Sequence, residues 1–125
     1  MPIRGIRGAT IACKDEQEAI LSATQELLTA ILEANPSLSS EDIASAFFTV
    51  SDDIRSTYPA KAARETYGWH QVPMLCAREI PVPGGPKHCI RVLIHWNTDL
   101  PQNKIRHVYL GEAAYLRPDL EVADL

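Results

Sequence analysis

Cys89-Ile90-Arg91-Val92-Leu93-Ile94-His95-Trp96 is a run of branched aliphatic residues with a charge planted inside it. Opened by Gly84-Gly85-Pro86, it reads as a sheet strand. Strand alternation puts Ile90, Val92, Ile94 and Trp96 on one face and Arg91, Leu93 and His95 on the other. A guanidinium stays charged, and desolvating it beside Leu93 is costly unless an anion and several acceptors meet it. Two readings follow. Arg91 either lies at a sheet edge with its head in water, or is held out for an anionic ligand.

Working outward, Pro2 to Cys13 reads as a first strand, loosened by Gly5 and Gly8 where another backbone or a ligand can approach. Asp15 is placed as a helix N-cap with Glu18 three residues on. Ile20, Ala23, Leu27, Ile31 and Ala34 recur at helical spacing, and Asn35-Pro36 ends that helix. Ser39 or Ser40 caps a short turn before a second strand, Ala46 to Val50. Pro59 starts a short helix through Ala62, Ala63 and Arg64, with Gly68 just past its end. Val72 to Glu79 is the third strand and the arginine strand the fourth. His107-Val108-Tyr109-Leu110 leads into a short helical piece that Leu116-Arg117-Pro118 stops, and the tail over 117–125 is expected to fray.

This order predicts an α+β fold: a mixed β-sheet with one long and one or two short helices on one face. The other face is then left uncovered with Ile, Val, Leu, Phe and Trp side chains on it, and self-association covers it most simply.

At 125 residues the chain suits one domain over 1–125, with a modest core that oligomerisation can supplement. No stretch approaches the length of a membrane span, and Arg4 and Arg7 among glycines do not make a secretory signal. Three cysteines, Cys13, Cys76 and Cys89, without metal-type spacing suit free thiols in a reducing cytoplasm. A net charge of −4 argues against nucleic-acid binding, so an anionic ligand must meet a local arginine cluster.

Arg7 shares a strand face with Ile3 and Ala9, unusual company for a charge, although a solvated strand end is the commoner explanation. Lys61 and Arg64 lie near a helix N-terminus, where an ordinary solvated face competes with anion binding. Glu79 follows Arg78 at a strand end. Cys76 suits a small buried hydrophobe. No nucleophile–base pair assembles, and His70, His88, His95 and His107 lack ligand spacing. No phosphate or dinucleotide glycine fingerprint occurs.

Read together, five segments go further. Ile3-Arg4-Gly5-Ile6-Arg7-Gly8-Ala9-Thr10, Tyr58-Pro59-Ala60-Lys61-Ala62-Ala63-Arg64, Gly68-Trp69 with Val72-Pro73, Cys89-Ile90-Arg91-Val92, and Arg106-His107-Val108-Tyr109-Leu110 to Leu116-Arg117-Pro118-Asp119-Leu120 resemble the monofunctional chorismate mutases of the trimeric bacterial class. The likeness runs in order over nearly the whole chain. It implies a homotrimeric pseudo-α/β-barrel with active sites in the clefts between subunits, converting chorismate to prephenate without metal or organic cofactor. By the same resemblance Arg7 and Tyr109 hold the enolpyruvyl carboxylate, Arg91 sits at the ether oxygen, and Glu79 lies beside the ring and its hydroxyl with Cys76 nearby. Tyr58, Ala60, Lys61, Arg64, Met74 and Leu75 match positions that line or close the pocket, and Arg117 one near the tail. Met74 and Leu75 are bulkier and more apolar than the family pattern suggests.

Such a rearrangement moves no proton in the bond-changing step, so a site without an acid–base dyad fits it. What remains is to hold the reactive conformation and to stabilise separating charge. Cys76 and Glu79, three apart, point to opposite faces of a regular strand, so a bulge, a backbone contribution or two clefts must reconcile them. The alternatives are a similarly shaped trimeric imine deaminase, whose motifs do not match these segments, and a non-catalytic trimer that binds an aromatic-pathway metabolite.

Overall fold

The arginine strand lies in the middle of the sheet. A computed structural model describes residues 1–116. Its strands are β1 (Ile3–Ile11), β2 (Ile43–Val50), β3 (Met74–Arg78), β4 (Cys89–Asn97) and β5 (Val108–Tyr109), ordered β3-β2-β4-β1-β5. Strand β4 runs antiparallel to both β1 and β2, while the edges β3 and β5 join in parallel. The edge reading of Arg91 therefore fails: its strand has a neighbour on each side.

Helices α1 (Gln17–Ala34) and α2 (Ala60–Tyr67) cover one sheet face. Ile6, Phe48, Val92, Ile94 and Trp96 point from the strands into a core completed by Leu27, Leu28, Ile31, Ala60, Ala63 and Trp69. Helix α1 comes so close to β1 that a Cβ on Gly8 would lie 2.8 Å from Ile31 Cδ1 and 3.2 Å from Val92 Cγ1. Gly68 ends α2 in the left-handed region, as expected of a C-terminal glycine.

The opposite face is largely open, with the composition of its apolar surface corrected. Ile3, Phe47, Leu75 and Leu93 stand exposed on it, whereas Trp96 and Val92 lie under the helices. Among the described residues only its β5 end is covered, where a 3-10 turn, Gly111–Leu116, packs Ala113 against Ala9 and Tyr109.

Several boundaries differ for identifiable reasons. Glu16, not Asp15, occupies the N-cap position of α1, without a side-chain cap. Asp15 instead accepts the backbone N–H groups of Arg55 and Ser56 at 3.0 and 3.1 Å, tying the loop after β2 to the start of α1. Strand β2 begins at Ile43, after a 3-10 turn over Ser40–Asp42, with an irregularity between Ile43 and Ser45. Ser39 precedes that turn without a side-chain cap. Strand β3 is shorter than Val72 to Glu79, and β5 is a two-residue strand that no periodicity announces. The expected fraying of 117–125 lies outside the described residues.

Candidate active site

Strand register builds the site. Ala77 on β3 pairs with Thr49 on β2, Thr49 with Arg91 on β4, Arg91 with Ala9 on β1, and Ala9 with Tyr109 on β5. One row on the open face thus crosses all five strands, with Arg91 at its middle. Small neighbours, Ala77 and Ala9, leave room around the guanidinium. The next row carries Leu75, Phe47, Leu93 and Arg7. Arg7, Glu79, Arg91 and Tyr109 line one cleft of about 530 Å³ with Gly8, Phe47, Thr49, Val92 and Leu93, a size suited to a small organic ligand.

Charge in this cleft is only partly matched. Arg91 Nε lies 3.4 Å from Glu79 Oε2, close enough for an ion pair, yet that nitrogen is buried and has no hydrogen-bond partner among the described residues. A buried guanidinium N–H left unpaired is costly, and an acceptor entering the cleft relieves that cost. Glu79 is tethered by its N–H to the Val50 carbonyl (2.8 Å) and by the Thr49 hydroxyl, which donates to Oε2 at 2.6 Å. Arg7 is fixed through its backbone N–H, which donates to His107 Nδ1 at 2.9 Å. Tyr109 is 5% exposed. Next to Arg91, burial pushes the Cys89 thiol above its ordinary pKa despite the pull of the guanidinium, so Cys89 stays a neutral neighbour. Among the described residues no three His, Cys, Asp or Glu side chains cluster as metal ligands.

Comparison with known proteins is consistent over nearly the whole chain. The chorismate mutase type I family matches residues 3–120. A chorismate mutase AroH of Thermus thermophilus is 56% identical over 121 residues, covering 97% of this chain and 98% of the relative. That of Bacillus subtilis is 47% identical, covering 98% and 95%. A solved chorismate mutase from Clostridium thermocellum superposes with a TM-score of 0.85 at 42% identity, over 89% of this chain and 97% of the other. The chain belongs to the type I chorismate mutase family.

Of the residues that family resemblance singles out, four share the cleft: Arg7, Glu79, Arg91 and Tyr109. Of the others, those among the described residues do not line it within one chain. Strand β3 stays regular, so Met74 and Cys76 turn to the helix side and pack against the core. Cys76 and Tyr58 also line a separate concavity of about 340 Å³ with Pro59, Ala77 and Arg78. Cys76 and Glu79 thus point to opposite faces of β3 and line different concavities. Leu75 is exposed on the open face; Ala60 is buried, Lys61 half-buried and Arg64 exposed on α2. Arg117 lies outside the described residues.

Three chorismate mutase cleft residues escaped sequence reasoning. The sequence marks Leu93 only as the apolar neighbour of Arg91, and Phe47 and Thr49 only as residues of the second strand. Alternation along β2 puts Phe47 and Thr49 on one face, but only the pairing of β2 with β4 brings that face to Arg91. His107, which lacked ligand spacing, serves as a hydrogen-bond acceptor instead.

Proposed function

We propose that the protein catalyses the intramolecular rearrangement of chorismate to prephenate, as a homotrimer of one chorismate mutase-like domain over 1–125. The observation that carries this reading is the buried, unpaired Nε of Arg91 beside Glu79, with Arg7 and Tyr109 in the same cleft. In the reaction one C–O bond breaks while a C–C bond forms in the same molecule. The ether oxygen gains negative charge and the ring fragment becomes electron-poor. Arg91 meets the oxygen with a rigid fork of donors, and Glu79 faces the ring. Arg7 and Tyr109 bind the side-chain carboxylate and hold the folded conformer. No step requires a nucleophile, proton relay or cofactor.

The uncovered apolar face and the separation of the two concavities support the trimeric assembly. One chain carries the arginine cleft on its open face and the Tyr58–Cys76 concavity beside its β3 edge. A closed ring that seats the second patch of one protomer over the first patch of the next completes each site and buries Ile3, Phe47 and Leu93. Tyr58, Ala60, Lys61, Arg64, Met74, Leu75 and Cys76 then act from the neighbouring subunit, and Arg117 near the tail. Three free thiols fit a cytoplasmic location, and among the described residues no helix is long and apolar enough to cross a membrane.

Adding the purified protein to chorismate should remove the substrate's absorbance, with prephenate as product, and light scattering on the same sample should give the trimer mass. Unchanged absorbance overturns the activity. A fully active monomer at micromolar concentration overturns the shared site.

A further inference from the structure

Thr49 touches both members of the Arg91–Glu79 pair through the sheet. It is the cross-strand partner of Arg91 on one side and of Ala77, two residues before Glu79, on the other. Its hydroxyl donates to Glu79 Oε2 at 2.6 Å, and the same oxygen lies 3.4 Å from Arg91 Nε. Glu79 Oε1 takes no hydrogen bond among the described residues.

An arginine and a carboxylate this close ordinarily collapse into a bidentate pair, the strongest arrangement open to them. Such a pair would occupy both carboxylate oxygens and the donors of the guanidinium together. Here one oxygen is turned toward β2 and held, so the carboxylate stands at ion-pair distance without hydrogen-bond alignment to Nε. Glu79 has little else to fix its side chain. It follows the last residue of β3, with its N–H on the Val50 carbonyl as backbone tether, and the Pro81-Val82-Pro83-Gly84-Gly85-Pro86 turn comes next.

We propose that Thr49 is a positioning residue that keeps the Glu79 carboxylate from closing into a bidentate pair with Arg91, leaving the Arg91 Nε–H unpaired and Glu79 Oε1 open to the substrate. This rests on the reading of Arg91 and Glu79 as the groups flanking the reacting bond. It predicts an effect on the rearrangement itself more than on substrate affinity, because the pair acts on charge that develops in the transition state.

The test compares Thr49→Val, which keeps the shape and loses the donor, with Thr49→Ser, which keeps the donor. Kinetics on chorismate and melting temperatures are measured on the same preparations of the full chain. Thr49→Val should lower kcat by about 10- to 100-fold, the range for a hydrogen bond to a charged group, with a smaller change in KM. Thr49→Ser should recover to within about threefold of wild type. In a Glu79→Gln background the Thr49→Val penalty should largely vanish, since the group it positions is already disabled. Thr49→Ala serves in the same comparisons if the valine variant does not fold.

Wild-type kcat in Thr49→Val, a serine variant as slow as the valine one, or a penalty that persists undiminished with Glu79→Gln overturns the positioning role. None of these touches the proposed activity, which falls only if the wild-type protein leaves chorismate unchanged; a Glu79→Gln variant at the wild-type rate overturns the role of Glu79 and the positioning role with it.

Discussion

The backbone N–H of Arg7 donates to Nδ1 of His107, an imidazole standing where the next strand's carbonyl would be. Strand β5 starts one residue later, with Val108 opposite Gly8 and Tyr109 opposite Ala9. The ring thus lengthens a two-residue ladder by one bond and locks Arg7 in register with Tyr109. The segment is held from behind by Asn35. Its buried amide accepts the Arg106 N–H and donates to the Arg106 carbonyl, both at 3.0 Å.

Replacing the ring should loosen that register. His107→Ala should cost about 1 kcal/mol of stability and raise KM for chorismate more than it lowers kcat. His107→Asn, whose carbonyl oxygen can reach the Nδ1 position, should retain most of both. Equal KM values for all three proteins would show that the bond does not position Arg7.

Arg91→Ala should lower kcat by about 10²–10³-fold with a smaller effect on KM, since the charge it meets exists mainly in the transition state. Arg91→Lys keeps the charge without the fork and should recover only a fraction. Arg7→Ala should instead raise KM, because the carboxylate it holds is charged throughout. A folded Arg91→Ala protein with near-normal kcat removes Arg91 from the chemistry.

The rate should be nearly flat between about pH 6 and 8 and indifferent to chelators, because the bond-changing step moves no proton. A bell-shaped kcat profile centred in that range, or a large solvent deuterium effect on that step, contradicts the mechanism.

Acid stability should depend on Asp53. Burial pushes its carboxyl up, but the Ser51 hydroxyl, the His88 N–H and the His88 ring charge together bring it below the ordinary 3.8. A carboxyl lowered in the folded state adds stability above its unfolded pKa and loses it as pH falls through the folded value. The protein should therefore weaken below about pH 4. Asp53→Asn should be less stable at neutral pH and flatter through that window. Both Asp53 oxygens accept the N–H of His88, which holds a left-handed φ of 51° just before β4. Identical acid slopes for the two proteins would count against it.

Gly8→Ala should destabilise by about 1–3 kcal/mol through overpacking, because the added methyl meets Ile31 and Val92 in a filled core. Denaturant midpoints measure this directly. A variant as stable as wild type means that α1 shifts freely away from β1.

Local chemistry made much of this protein legible in its amino-acid order. Alternation in Cys89–Trp96 assigned Arg91 and Trp96 to opposite faces, helical spacing from Ile20 to Ala34 announced α1, and Pro59 and Gly68 bracketed α2, as observed. These signals survive because each depends on residues within a few positions of one another. Family resemblance, carried by whole segments, named Arg7, Glu79, Arg91 and Tyr109 before any of them had a location.

What tertiary structure alone decided is which strands become neighbours and in what register. Nothing near Thr49 in the chain says that it faces Arg91, 42 positions away and paired with it across β2 and β4. Asp15 matched a capping pattern, yet the loop at Arg55 and Ser56 arrived with free N–H groups and took its carboxylate. The two-residue β5 is too short to show a period and exists because β1 offers an open edge. Pairing register is set by the collective burial of the helix-side core, so the open face inherits its arrangement of charges from contacts made on the other side of the sheet.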